Sequence, residues 1–304
     1  MPINRFDQAS RYAAKLDAPR ILSWLLREEP STLRFRGWLD ARTLPFPGDP
    51  ERICDTVAWL SDADPAVEWA LPVEFCIEPD GSLFGRLLVY LGQLWLEVRP
   101  TDVGGERFHV GAVVVNLTGR GKTSRTMWLR QTGVGTILEV VERNLAGEDA
   151  AATLAGIAAG TWSLCLLPWI PLMQHGDEDG IIQQWKELAS LEADSRRRSD
   201  YGGLALVFAD AAGRLAVWKE ALKEWNMRES QQVLEWINMG RAEGRAEGEA
   251  NALLRLLAKH FPPGAPQDLT AKIHATTDLE RLRNWFDLAW AADSLDGFRQ
   301  AAGL

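Results

Sequence analysis

The sequence predicts an α/β protein with a central mixed sheet, followed by an all-helical C-terminal region. Three observations predict it. Two neighbouring strand-like runs, residues 52–60 and 71–78, each carry an acid, Asp55 and Glu74. In the second run Leu71, Val73, Phe75 and Ile77 alternate with Glu74, Cys76 and Glu78, the period-two pattern of a strand with one apolar face. Residues 110–117 form a nearly continuous apolar, β-branched run, as expected of a strand buried on both faces. Beyond about residue 146 the periodicity is helical throughout.

The elements follow in order. Phe6, Ala9, Ala13 and Leu16 lie on one helical stripe, and a second helical piece with Ile21, Leu22, Leu25 and Leu26 resumes after Pro19. Residues 33–44 contain a strand, ended by a loop at 45–50, where three prolines and a glycine fall within six residues. The two acid-bearing strands come next, joined by a turn at 61–65. Residues 83–98 read as a helix with Phe84, Leu87, Leu88, Leu91 and Trp95 on its apolar stripe, and Arg86, Tyr90 and Gln93 sharing another side. Residues 110–117 and 136–145 complete the sheet. Helices are expected at 181–191, 201–212 and 217–225.

A long helix at 228–261 ends at Pro262-Pro263-Gly264 and carries the repeat Gly240-Arg241-Ala242-Glu243-Gly244-Arg245-Ala246-Glu247-Gly248. Its like-charged i,i+4 pairs do not support an isolated helix, so it is either a solvated spacer or one face of a homodimer. Thr277 to Glu280 reads as a capping box, followed by Leu279, Leu282, Phe286, Ala289 and Trp290 on one face. The expected organisation is therefore 1–145, 146–227, 228–261 and a small module at 265–304.

Composition limits the function. A net charge of −9 gives no general attraction to nucleic acid, so any DNA contact needs a local basic patch. Three cysteines without CxxC spacing fit a reducing cytoplasm better than a disulfide framework or a zinc site. No apolar run follows Met1, so no signal peptide is expected. Residues 150–174 lack charge, but Gly156, Gly160, Pro168 and Pro171 interrupt them, so no membrane partner is expected.

Asn116 to Thr123 resembles a phosphate-binding loop in which Asn116 replaces the first glycine and no helix follows, so it reads as a basic surface loop. His109, His175, His260 and His274 show no metal spacing, and Arg196-Arg197-Arg198 reads as a solvated face. The acid pair carries more chemistry. If the two runs pair, Asp55 and Glu74 converge on one hard cation.

The succession Phe6-Asp7-Gln8 with its helix, Cys54-Asp55, Glu74-Phe75-Cys76 and a helix with Tyr90 resembles the Rpn-type recombination-promoting nucleases, transposase-related members of the PD-(D/E)XK superfamily. The helical region, the glycine–arginine–glutamate repeat and the small helical end resemble that group as well, so the likeness covers most of the chain. It implies a restriction-endonuclease-like core, Mg²⁺ as cofactor, DNA as partner and endonuclease activity, with Asp55 and Glu74 as catalytic, metal-holding acids. The family has Lys or Gln two residues after the second acid. Here that position is Cys76, whose thiol is a weak donor. Either Gln93 supplies the missing polar group, or this chain keeps the fold as a catalytically silent interaction or regulatory protein.

Overall fold

The computed structural model describes residues 5–28, 32–39, 45–46, 49–53, 56–62, 67–100, 107–130, 132–225, 246 and 248–304. The chain forms two compact units, Met1–Leu234 and Glu235–Leu304, so 1–145 and 146–227 belong to one unit. Cys54 and Asp55 lie outside the described residues, as does the repeat apart from Ala246 and Gly248.

The first unit opens with two helices, α1 (Arg5–Lys15) and α2 (Ala18–Leu26). Strand β1 (Arg34–Leu39) follows, then a small antiparallel hairpin, β2 (Pro45–Phe46) with β3 (Asp49–Ile53). That hairpin corrects the loop expected at 45–50: a proline at the start of a short strand leaves its missing N–H outside the ladder. Strands β4 (Val57–Ser61) and β5 (Glu68–Cys76) come next, then helix α3 (Leu83–Glu97).

The run expected as one strand at 110–117 is two, β6 (His109–Val110) and β7 (Val113–Asn116), separated at Gly111-Ala112. The strand expected at 136–145 is also two. β9 (Gly135–Leu138) pairs with β8 (Arg125–Trp128) in a separate ribbon, while β10 (Val141–Asn144) joins the main sheet.

The main sheet has strand order β1-β4-β5-β7-β10, with β6 beside β5. β1, β4 and β5 are antiparallel neighbours, whereas β5, β7 and β10 are parallel, so the sheet is mixed as predicted. The parallel step from β5 to β7 needs a crossover, and α3 supplies it.

Alternation assigns the faces. Ala70 and Cys76 of β5 pack with Val57, Val114 and the α3 side chains Leu83, Leu87, Tyr90, Leu91 and Leu94. On the opposite face Phe75 stacks on Trp169, with centroids 5.7 Å apart, and Trp169 stacks in turn on Phe208. The sheet is therefore covered on both sides, and β5 must be apolar on both except where Glu74 interrupts it.

The covering layer comes from residues after β10: α4 (Ala150–Ala158), a 3₁₀ segment (Leu164–Leu172), α5 (Asp179–Ala189), α6 (Ser195–Ala211) and α7 (Leu215–Ala221). Pro168 and Pro171 keep the 3₁₀ segment from becoming an α-helix, and all its residues from Cys165 to Leu172 are buried. Among the described residues no helix is long and apolar enough to cross a membrane. α1 is tied to α6 by an Arg5–Asp210 ion pair of 2.6 Å and by Tyr12 donating to Asp200 at 2.8 Å.

The second unit contains α8 (248–260), α9 (Gln267–His274), α10 (Leu279–Ala291) and α11 (Leu295–Ala302) around Leu253, Leu257, Leu269, Ile273, Leu282, Trp285 and Phe298. The α10 stripe holds Leu279, Leu282, Phe286 and Ala289 against the core as expected, with Trp285 joining it in place of Trp290. Trp285 is buried, and Trp290 is 65% exposed. The helix cap moves too. Asp278 rather than Thr277 is the N-cap, its carboxylate accepting from the Glu280 and Arg281 amides, which a single hydroxyl serves less well.

Candidate functional site

Glu74 and Cys76 project from the face of β5 that α3 covers, and both are nearly closed to solvent, at 5% and 6% exposure. Tyr90 does not lie on an outer polar side of α3, as its spacing with Arg86 and Gln93 first reads. It is fully buried in the same cluster as Cys76. Arg86 and Gln93, on the same side as Tyr90, are half-buried at the edge of the apolar face that α3 turns toward the sheet.

Arg86 pairs with Asp80 at 2.5 Å, anchoring the start of α3 to the loop after β5. Gln93 is partly buried, and its Oε1 is enclosed without a hydrogen-bond donor among the described residues. A carbonyl oxygen so placed is an acceptor without a donor, which costs free energy wherever no other ligand serves it.

Glu74 is one member of a row. The parallel register sets it beside Val114 of β7, and Val114 beside Glu142 of β10. The next row is Cys76, Asn116 and Asn144. Two strand spacings separate Glu74 from Glu142, on the order of 10 Å between backbones.

Glu142 is fully engaged. Its Oε1 accepts from Asn116 Nδ2 at 2.8 Å and from Thr123 Oγ1 at 3.2 Å, and its Oε2 accepts from the Thr123 amide at 2.6 Å. Asn144 Oδ1 accepts from Asn116 Nδ2 and from the Gly121 amide, at 2.8 and 2.7 Å. This closes the question of the phosphate-loop likeness. The amides of Gly121 and Thr123, which would cradle a phosphate, are turned onto β10. The segment is a tethered surface loop with Arg120 and Lys122 exposed.

Sequence reasoning missed this Asn116–Glu142–Asn144 network, although its signal is present. Glu142 and Asn144 alternate with Val141 and Arg143, and Asn116 ends an otherwise apolar strand. Of the residues singled out from the sequence, Glu74 and Cys76 are buried on β5 and Gln93 is half-buried on α3, while Asp55 lies outside the described residues. Among the described residues no group of three or more His, Cys, Asp or Glu could hold a metal. Compared with known proteins, the chain matches no family model, no curated protein and no solved structure.

Proposed function

We propose that the α3-covered face around Glu74 is the active site of a Mg²⁺-dependent DNA endonuclease of the transposase-related kind, on a restriction-endonuclease-like core. The observation that carries the reading is a buried carboxylate on a central strand, covered by a helix that presents Tyr90 and Gln93 toward the same layer. The order supports it as well: helices, an antiparallel run β1-β4-β5, the crossover helix α3 and the parallel strand β7. The reading requires the β4–β5 register, with Val57 opposite Pro72, to run two residues further, so that Asp55 faces Glu74.

The donor set suits a hard cation. Carboxylate oxygens of Glu74 and Asp55 would hold it, with Gln93 Oε1 as an acceptor for its water. Mg²⁺ at such a place supplies a more acidic water and offsets charge on the phosphate. Gln93 would orient the attacking water, and Tyr90 would help exclude bulk solvent from the layer beneath α3.

Plasmid nicking with Mg²⁺ or Mn²⁺ tests this, comparing wild type with Glu74→Ala. Loss of nicking in the variant is expected. Equal nicking in both would assign the cleavage to another site or a contaminant.

A second reading is a catalytically silent interaction or regulatory protein on the same fold. Cys76 favours it, because its buried thiol stands where a lysine or amide would stabilise developing charge. Under this reading a well-folded protein neither nicks DNA nor binds Mg²⁺ by calorimetry.

A further inference from the structure

The β8–β9 ribbon is a two-stranded sheet separate from the main one. It leaves the main sheet after the loop tethered to Glu142 and returns as β10. Cross-strand pairing puts Thr126 opposite Ile137 and Trp128 opposite Gly135 on one face. Arg125 with Leu138 and Met127 with Thr136 occupy the other.

Among the described residues, the contacts to α3 lie at the root. Leu138 is buried in the α3 cluster, and the Arg125 guanidinium lies 5.3 Å from the Phe84 ring centre. Beyond the root, Met127, Trp128 and Ile137 are exposed, and Leu129 and Val134 at the tip are 60% and 62% exposed. A two-stranded ribbon with apolar side chains on both faces is marginal by itself in water, so an element kept this way is expected to meet a partner.

Charge identifies the partner. Residues 107–138 contain no Asp or Glu and five cations, Arg107, Arg120, Lys122, Arg125 and Arg130, within a chain of net charge −9. Neither Lys122 nor Arg130 has an ion pair among the described residues. The position of Arg130 separates the candidate partners. It sits in the turn between Leu129 and Val134, at the extreme tip, where a bilayer-inserting element would carry its most costly charge at its deepest point.

A polyanion with grooves satisfies both features. The major groove admits a two-stranded ribbon, phosphates meet the cations along it, and apolar side chains meet sugars and base edges.

We propose that the β8–β9 ribbon is a docking element for duplex DNA, with Lys122, Arg125 and Arg130 on phosphates and Trp128 and Leu129 on the groove. The proposal rests on the nucleic-acid part of the reading above and does not require cleavage.

The test is fluorescence anisotropy of the full chain with a labelled duplex of about two helical turns, in EDTA so that no cleavage intervenes. Lys122→Glu with Arg130→Glu should weaken binding at least about tenfold at moderate salt and lower the log–log salt slope by about two. Leu129→Ser with Val134→Ser should weaken binding with the slope unchanged. Absence of duplex binding in wild type, or unchanged affinity and slope in both ribbon variants, overturns the proposal. So does ribbon-dependent binding to phosphatidylserine vesicles without duplex binding, or a ribbon-dependent dimer by light scattering without it. Ribbon-dependent binding with no nicking under any condition keeps the docking element and discards the nuclease. Glu74-dependent nicking that ignores the ribbon variants does the reverse.

Discussion

Arg143 donates from Nη1 to the backbone carbonyl of Trp24 at 2.6 Å, joining the last strand of the main sheet to the C-terminal turn of α2. The same guanidinium donates from Nε to Glu148 at 2.9 Å and lies 4.1 Å over the Trp24 ring. It is 4% exposed, and burial pushes its pKa down while Glu148 opposes the shift. One cation therefore satisfies a helix-end carbonyl, pairs an acid and packs on an indole, so that β10, α2 and the start of the helical layer form one body.

Arg143→Met should destabilise the first unit by about 3 kcal/mol, because it leaves the Trp24 carbonyl with the weaker bond from the Arg27 amide at 3.3 Å and Glu148 with the longer Arg27 contact at 3.9 Å. Arg143→Lys should recover little, since an ammonium cannot reproduce the planar fork that reaches both acceptors. Urea unfolding measures both. A Lys variant as stable as wild type would show that charge alone, rather than the fork, is what the site needs.

The network on Glu142 makes a second prediction. Glu142→Ala leaves the Thr123 amide and part of the Asn116 amide group without acceptors, and both residues are nearly fully buried. The expected cost is about 2–4 kcal/mol, with Glu142→Gln losing about half as much. Hydrogen exchange at the Thr123 amide should accelerate in the Ala variant. Gly121→Ala should show the same local change, because a β-carbon there would come within 2.6 Å of Asn116 Nδ2 and Glu142 Oε1. Unaltered exchange at Thr123 would mean that other contacts hold the loop.

The third prediction concerns alkaline pH. Burial and the hydrogen bond to Asp200 raise the Tyr12 hydroxyl to about 12, from an ordinary value of 10.0. Burial raises the Cys165 thiol to about 12 from 9.0, and Tyr201 moves the same way through burial and Glu192. All three are neutral when protonated, so the folded state holds protons that the unfolded chain releases earlier. Their contribution is complete below about pH 9 and is lost progressively as pH rises toward 12. A series of melting temperatures from pH 7 to 11 should therefore decline above pH 9, and more gently in Cys165→Ala and Tyr12→Phe. Parallel declines in all three proteins would locate the alkaline sensitivity elsewhere.

The sequence by itself determined the class and the order of this protein. Alternation in residues 71–77 located β5 and both its faces, because side chains on a strand reverse direction at every residue. The β-branched run located β7, and the loss of period two after residue 146 marked the helical layer. Glu74 stood out because an acid on such a strand is costly to bury. Where reading went astray, the signal was too short or was shared between elements. Residues 136–145 look like one strand, yet a break at Glu139-Val140 lets β9 fold out as a ribbon and β10 continue the sheet. On α3 and α10, apolar residues occur on more than one side, so only packing decided that Tyr90 and Trp285 go inward while Trp95 and Trp290 stay out. Tertiary structure alone brought Asn116, Thr123, Glu142 and Asn144 together, since these contacts depend on strand order across the sheet. It also set Arg143 against Trp24, 119 positions away, a distance that no local pattern encodes.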